Sequence, residues 1–223
     1  MNKKYQVIAL IGMAGAGKDT MQKATCKAHP LMFNPIISCT TRPMRETETP
    51  GVDYHFISIE DFTRKVLSGN MLEATEFRNW FYGTPINSLA YDKINIGVFN
   101  PAGVEALVDD PRLNVLVVKI NCDDKTRLIR CLNRETHPDC DEICRRYMAD
   151  KEDFAKLTLE EYAVVESKDG SCEDLLECQG FNAEWLEEMW RELDTSTEFE
   201  TIMRWERSMS KKAESADVEV KED

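Results

Sequence analysis

The chain has 223 residues, 42% of them hydrophobic and 31% charged, and a formal charge of −13. That length and composition describe one sizeable globular domain and exclude a chain disordered throughout. No run of 18 apolar residues occurs, which argues against a membrane-spanning helix, and the acidity argues against a protein whose main task is gripping nucleic-acid backbones. The charge is unevenly spread. Residues 1–151 carry 20 basic and 19 acidic side chains, whereas residues 152–223 carry 8 and 22. An anion site therefore belongs in the first two thirds, where Arg42/Arg45 and Arg127/Arg130/Arg134 cluster. Eight cysteines without a C-x-x-C pair read as free thiols, which suits a reducing, cytoplasmic setting. Cys140, Cys144 and His137 lack further ligands at zinc spacing.

Lys3 and Lys4 followed by apolar residues have the outline of a secretory signal, but Tyr5–Ile11 reads better as a buried strand of a parallel sheet. It runs into Gly12-Met13-Ala14-Gly15-Ala16-Gly17-Lys18-Asp19-Thr20. A strand, then Gly-x-x-x-x-Gly-Lys, then a helical pattern is the signature of a phosphate-cradling loop. The glycines let backbone N–H groups converge on one anion, and the helix predicted over about 19–28 turns its positive end to the same place. Lys18 would reach the β- and γ-phosphates of a triphosphate. The usual Ser or Thr after the lysine is replaced by Asp19, so Thr20 is the expected hydroxyl on a Mg²⁺ ion. Asp19 either binds the ion's water shell or caps the helix.

The next segment holds Ser38-x-Thr40-Thr41-Arg42-x-x-Arg45, then Gly51-x-Asp53-Tyr54-x-Phe56. After a helix predicted over 58–67, with Ser58 and Asp61 at its start, come Glu73-x-x-Glu76-Phe77 and Tyr82-Gly83-Thr84. Arg42 and Arg45 can converge on a phosphate with forked, charge-assisted bonds, and the hydroxyls of Tyr54 and Tyr82 can donate to the same oxygens. These spaced motifs, with the loop before and an arginine-rich helix after, resemble guanylate kinases over about residues 5–166. The resemblance makes Glu73 the reader of the base. Guanine presents N1–H and N2–H₂ side by side, and a carboxylate accepts from both. Adenine presents an acceptor at N1 and is repelled. Ser38 and Thr84 would donate to guanine O6, and discrimination follows because the wrong base leaves buried polar groups unpaired.

Residues 113–120 read as another buried strand, and Asp123 and Asp124 open a helix that carries Arg127, Arg130 and Arg134 on one face. A short polar loop follows, then a helix predicted from Asp141 with Arg145 and Arg146. By resemblance to the mobile lid of nucleoside monophosphate kinases, Arg130, Arg134 and Arg146 would clamp the transferring phosphoryl group, acting with Lys18 and Arg42. The family's Asp-x-Asp on the central strand is absent: Val98 and Asn100 stand there, so Asn100 is left to bond a base amino group or a metal-bound water. Glu166-Ser167 stand where the family has Asn-Asp, which leaves the donor base open.

After Gly170 the pattern is helical and acidic, with Trp185, Leu186, Met189, Trp190 and Leu193 on one face, and residues 210–223 have almost nothing to bury. The expected architecture is α/β: a three-layer parallel sheet of the P-loop NTPase type within a domain over 1–209. It would carry a mixed-β monophosphate-binding insert (37–86), a lid (127–147), acidic helices (171–209) and a disordered tail (210–223). The resemblance implies Mg²⁺- and ATP-dependent phosphorylation of GMP or dGMP, with nucleotides as partners and neither nucleic acid nor membrane. A broader deoxynucleoside monophosphate kinase is the alternative. A non-catalytic binding module is a third reading, disfavoured because such a module would tolerate loss of Lys18 and the loop glycines.

Overall fold

A computed structural model describes residues 5–77, 79–157 and 163–167. The helices expected over 171–209 and the tail from 210 lie outside the described residues.

Strand β1 (Tyr5–Ile11) is buried at all seven positions, as a strand covered on both faces must be. It lies at the centre of a parallel five-stranded sheet in the order β2-β7-β1-β8-β9, formed with β2 (Phe33–Pro35), β7 (Ile94–Val98), β8 (Leu113–Asn121) and β9 (Ala163–Glu166). Alternation along β1 divides the core into two layers. Ile8 and Leu10 face one way and pack with Phe33, Ile94, Ile96, Val118, Ile120 and Met21, the last from helix α1 (Lys18–Ala28). Val7, Ala9 and Ile11 face the other way, toward Val117 and toward Val104 and Leu107 of helix α3 (Pro101–Val108). Full burial of each of these Val, Leu, Ile, Met and Phe side chains stabilises the fold by about 1.5–3 kcal/mol. The expected three-layer arrangement is therefore observed. It places the ends of β1, β7 and β8 along one edge, which in parallel sheets is where ligand crevices form.

The expected insert is a mixed four-stranded sheet in the order β4-β3-β6-β5, built from β3 (Cys39–Thr40), β4 (His55–Phe56), β5 (Met71–Phe77) and β6 (Trp80–Pro85). Strands β5 and β6 form an antiparallel hairpin in which Glu73 pairs with Thr84, while β3 pairs antiparallel with β6 and parallel with β4. Helix α2 (Ile59–Leu67) begins where the sequence places it. The Ser58 hydroxyl accepts from the Asp61 amide at 3.1 Å, and Phe62 stacks on Phe81 from β6 with ring centres 5.5 Å apart. Gln22 and Asn100 tie neighbouring segments to the core. Gln22 on α1 donates to the carbonyls of Ile36 (3.2 Å) and Ile96 (2.9 Å), and Asn100 donates to Thr75 Oγ1 at 2.9 Å.

Helix α4 (Asp124–Asn133) is capped by Asp123, whose carboxylate accepts from the Thr126 amide at 2.9 Å. Helix α5 (Cys140–Ala155) starts one residue before the expected Asp141, because Asp139 supplies the cap by accepting from Glu142 N–H at 3.0 Å. The six described cysteines are free thiols. No helix among the described residues is long and apolar enough to cross a membrane.

Candidate active site

The loop between β1 and α1 closes over the sheet edge. Gly15 is in the left-handed region at φ 79°, and a Cβ there would lie 2.5 Å from the Arg127 carbonyl oxygen, so only glycine lets the loop pass beneath α4. Helix α1 opens at Gly17 without any side-chain cap, and Asp19 is exposed in its first turn, so the capping role considered for Asp19 is not used. The uncapped N–H groups remain available to an anion. Lys18 Nζ folds back onto the carbonyl oxygens of Gly12 (2.7 Å) and Met13 (3.3 Å). Burial pushes its ammonium below the ordinary lysine range, and nearby Arg134 and Arg146 push the same way, while Asp19 and Asp150 oppose them.

A cavity of about 600 Å³ lies against this loop, lined by Lys18, Asp19, Thr20, Arg130, Arg134 and Arg146 among others. Arg130 Nη1 donates to the Gly15 carbonyl at 2.9 Å, and its buried Nη2 has no protein partner. A guanidinium held by one arm on the loop, with its second arm buried and unpaired, has the donor geometry that an oxyanion accepts from. Arg127 differs from the other arginines of α4. It is 2% exposed, donates to the Ala14 carbonyl (3.2 Å) and to Asp124 (2.5 Å), and lies over the Tyr147 ring. Its task is to brace the loop against α4.

A second cavity, of about 170 Å³, opens on the other side of Lys18. At its deep end Glu73 is 7% exposed. Its Oε1 accepts from the Thr84 hydroxyl at 2.8 Å, and Thr84 Oγ1 lies 3.0 Å from Ser38 Oγ. Thr84 has one proton and gives it to Glu73, so with Glu73 ionised Ser38 donates to Thr84, and the three form a directed chain. Burial pushes the Glu73 carboxyl up to about 7, against the Thr84 hydrogen bond that pulls it down. Helix α3 comes close behind: a Cβ at Gly103 would lie 3.4 Å from Glu73 Oε2. Arg42, Arg45, Tyr54, Tyr82, Thr75 and Asn100 also line this cavity. Asn100 is committed at both ends, its Oδ1 accepting from Gly103 N–H at 2.7 Å and its Nδ2 donating to Thr75. It caps α3 and still lines the cavity, with a second amide N–H and a second oxygen lone pair beyond these two bonds.

Arg42 and Arg45 come together as the sequence suggests, around a residue that sequence reasoning missed. Glu48 accepts from both Arg42 Nη atoms, at 2.9 and 2.7 Å, and from the Arg45 amide at 2.8 Å. Burial is the largest single influence and opposes the Glu48 charge, but the Arg42 fork, the Arg45 amide and the charges of both arginines together hold the carboxyl below its usual range. Arg45 is held below the ordinary arginine range, first by burial and then by Arg146 and Arg42 beside it. The Arg42 guanidinium also lies 5.5 Å from the Tyr54 ring centre, and the Tyr54 and Tyr82 rings meet edge to face at 6.1 Å. Ala14, Lys18, Arg45, Tyr54, Val98 and Arg146 line both cavities, so the two spaces adjoin across a border whose charged members are all cationic. Two carboxylates of α5, Asp150 and Asp153, line the Glu73 cavity and were likewise missed; their spacing from Arg146 on one helix was the available signal.

The guanylate kinase family model matches residues 4–177. The chain is similar to the guanylate kinase of Thermosynechococcus vestitus, 42% identical over 80 residues that make up 36% of this chain and 41% of that one. It is also similar to that of Listeria monocytogenes serotype 4b, 40% identical over 98 residues, which are 44% and 47% of the two chains. These matches span less than half the length of the curated relatives. Among solved structures, the crystal structure of guanylate kinase from Anaplasma phagocytophilum shares the fold, with a TM-score of 0.52 and 18% identity over 75% of this chain and 79% of that one.

Proposed function

The chain belongs to the guanylate kinase family, and from that premise we propose that it moves the terminal phosphoryl group of ATP onto GMP or dGMP, forming ADP and the guanosine diphosphate. The observation that carries this reading is the border shared by the two cavities, where Lys18, Arg45 and Arg146 stand between the phosphate loop and buried Glu73. In the proposal the loop residues 12–20 hold the ATP phosphates, and the cavity under Glu73 holds the monophosphate. The segment 37–86 is the monophosphate-binding insert, and 127–147 is the lid.

Two polyanions repel, so the chemistry needs charge and alignment more than proton transfer. The acceptor phosphate, with a second pKa of about 6, is already nucleophilic near neutrality and needs no general base. Arg42 and Arg45 exchange Glu48 for its oxygens, and Tyr54 and Tyr82 donate alongside. Glu73 accepts from guanine N1–H and N2–H, and Ser38 and Thr84 turn toward O6. Lys18, Arg130, Arg134 and Arg146 then stabilise charge on the equatorial oxygens of the group in transfer, where one such arginine can contribute roughly 10³–10⁵-fold. The free arm of Arg130 fits that part.

The residues present suit a Mg²⁺ ion that arrives with ATP rather than a resident metal. Among the described residues no group of three His, Cys, Asp or Glu could form a cage, whereas Thr20 and Asp19 line the loop cavity. When bound, the ion neutralises phosphate charge; Thr20 would hold it, with Asp19 toward its water shell. Lid closure would exclude water from the site. The six free thiols among the described residues fit a reducing cytoplasmic setting.

The test is ADP release with Mg-ATP and each nucleoside monophosphate and deoxynucleoside monophosphate in turn. GMP and dGMP should give the highest kcat/KM. Best turnover with dTMP or CMP would reject Glu73 as the guanine reader, and equal turnover with all would make the protein a broad deoxynucleotide kinase.

A further inference from the structure

The charged groups of α4 and α5 that bond the phosphate loop or line its cavity are cationic, with one exception. Arg127 and Arg130 donate to the carbonyls of Ala14 and Gly15, and Arg134 and Arg146 line the loop cavity. The exception is Asp150, one turn beyond Arg146 on α5. Its Oδ2 accepts from the Ala14 amide at 2.6 Å, within the loop, and its charge bears on Lys18. A carboxylate that accepts a loop N–H beside the loop lysine does what a phosphate oxygen would do there. Lys18 meanwhile rests on the loop's own carbonyls. The wall that faces an incoming polyanion thus already holds an anion of the protein.

We propose that Asp150 is a built-in occupant of the donor site, which a triphosphate must displace, and that its displacement frees α5 to bring Arg146 onto the phosphates. The inference rests on the loop being the triphosphate site. The like charges of a carboxylate and a phosphate cannot share one amide and one ammonium at close range. Asp124 on α4 holds Tyr147 (2.5 Å) and Lys151 (2.9 Å) of α5, so α5 stays attached to α4 when the loop contact breaks. The Asp150–Ala14 bond is then the link that couples donor binding to the position of α5 against the loop. Donor alone begins lid movement, before any acceptor is present.

The experiment is calorimetric titration of the full chain, and of its Asp150→Asn, Asp150→Ala and Lys18→Ala variants, with metal-free ATP, Mg-ATP and inorganic tripolyphosphate. If the occupied state outweighs the open one nine to one, both Asp150 variants bind all three about tenfold more tightly, because the competing anion is gone. Unchanged or weaker binding overturns the proposal. So does weakening confined to Mg-ATP, which would make Asp150 a metal-side ligand. The underlying reading fails in a different way: the unmutated chain would show no saturable binding of ATP or tripolyphosphate, or Lys18→Ala would bind them as well as it does. Hydrogen exchange on the unmutated chain covers the case of variants that do not fold. Tripolyphosphate should speed exchange in peptides from 147–155, and unaltered exchange there also overturns the proposal.

Discussion

Replacing Glu73 by Gln should remove a pH dependence that this one side chain imposes on both guanine recognition and stability. The folded carboxyl titrates near 7, against an ordinary value of 4.5, because it is buried and has one hydroxyl donor to offset the loss of water. That displacement corresponds to roughly 3 kcal/mol of preference for the neutral form. In the proposed site the charged form is the one that would accept from both N1–H and N2–H of guanine. As pH falls below about 7, a growing share of free enzyme carries a protonated carboxyl that cannot accept both. The kcat/KM for GMP of the unmutated chain, divided by that of Glu73→Gln, should be about a hundred at pH 8, the worth of a charged hydrogen-bond pair. It should fall about tenfold per pH unit below 7, until the two proteins meet. The acceptor phosphate's own ionisation, near 6, acts on both and cancels in the ratio. Stability moves in a linked way. Between pH 4.5 and 7 the folded chain binds more protons at Glu73 than the unfolded chain does, so stability falls as pH rises through that window. The Tm advantage of Glu73→Gln should therefore grow from pH 5 to pH 8, with a ceiling of roughly 3 kcal/mol. A kcat/KM ratio that is flat from pH 5.5 to 8, with a Tm difference equally flat, would refute the reasoning.

Three further outcomes are expected. Lys18→Ala should abolish turnover while GMP still binds by calorimetry, and robust turnover in that variant would remove the loop from the chemistry. Arg127→Ala should cost about 2–3 kcal/mol in urea denaturation, because it leaves the loop unbraced, whereas Arg130→Ala should leave stability nearly unchanged and lower kcat by 10³-fold or more. Gly15→Ala should weaken ATP binding at least tenfold and lower Tm, since its Cβ meets the Arg127 carbonyl at 2.5 Å; a variant with normal ATP affinity would show that the loop can shift aside.

Local chemistry explains which parts of the molecule could be read from the chain. Strand β1, the glycine loop and α1 are contiguous, and their apolar run, turn residues and lysine declare themselves within sixteen residues. Glu73 and Thr84 could be paired because a hairpin brings near neighbours together. Glu48, Arg127 and Asp150 could not be assigned, because each takes its role from a partner that the fold supplies. Asp150 meets Ala14 across 136 residues: its spacing from Arg146 puts it on the same side of α5, but nothing local names the loop amide as its partner. Arg127 looks like its neighbours Arg130 and Arg134 on the same helical face, and only burial separates the brace from the arms that reach the cavity. Asn100 was legible as a substitution but not as a cap, since capping depends on where α3 begins.

The grip of Glu48 on Arg42 and Arg45 bears on how fast a monophosphate can be taken up. Long guanidinium side chains ordinarily lose rotamer freedom when a ligand captures them. Here that loss is incurred during folding, since the bidentate Glu48 contact sets the Arg42 fork and the Arg45 backbone before any substrate comes near. Arrival of the phosphate is then a swap of one oxyanion for another on a rigid template. The phosphate brings about one more negative charge than Glu48 removes, so uptake should depend on ionic strength less steeply than it would with both arginines unpaired, and the rate of Glu48 withdrawal should limit it.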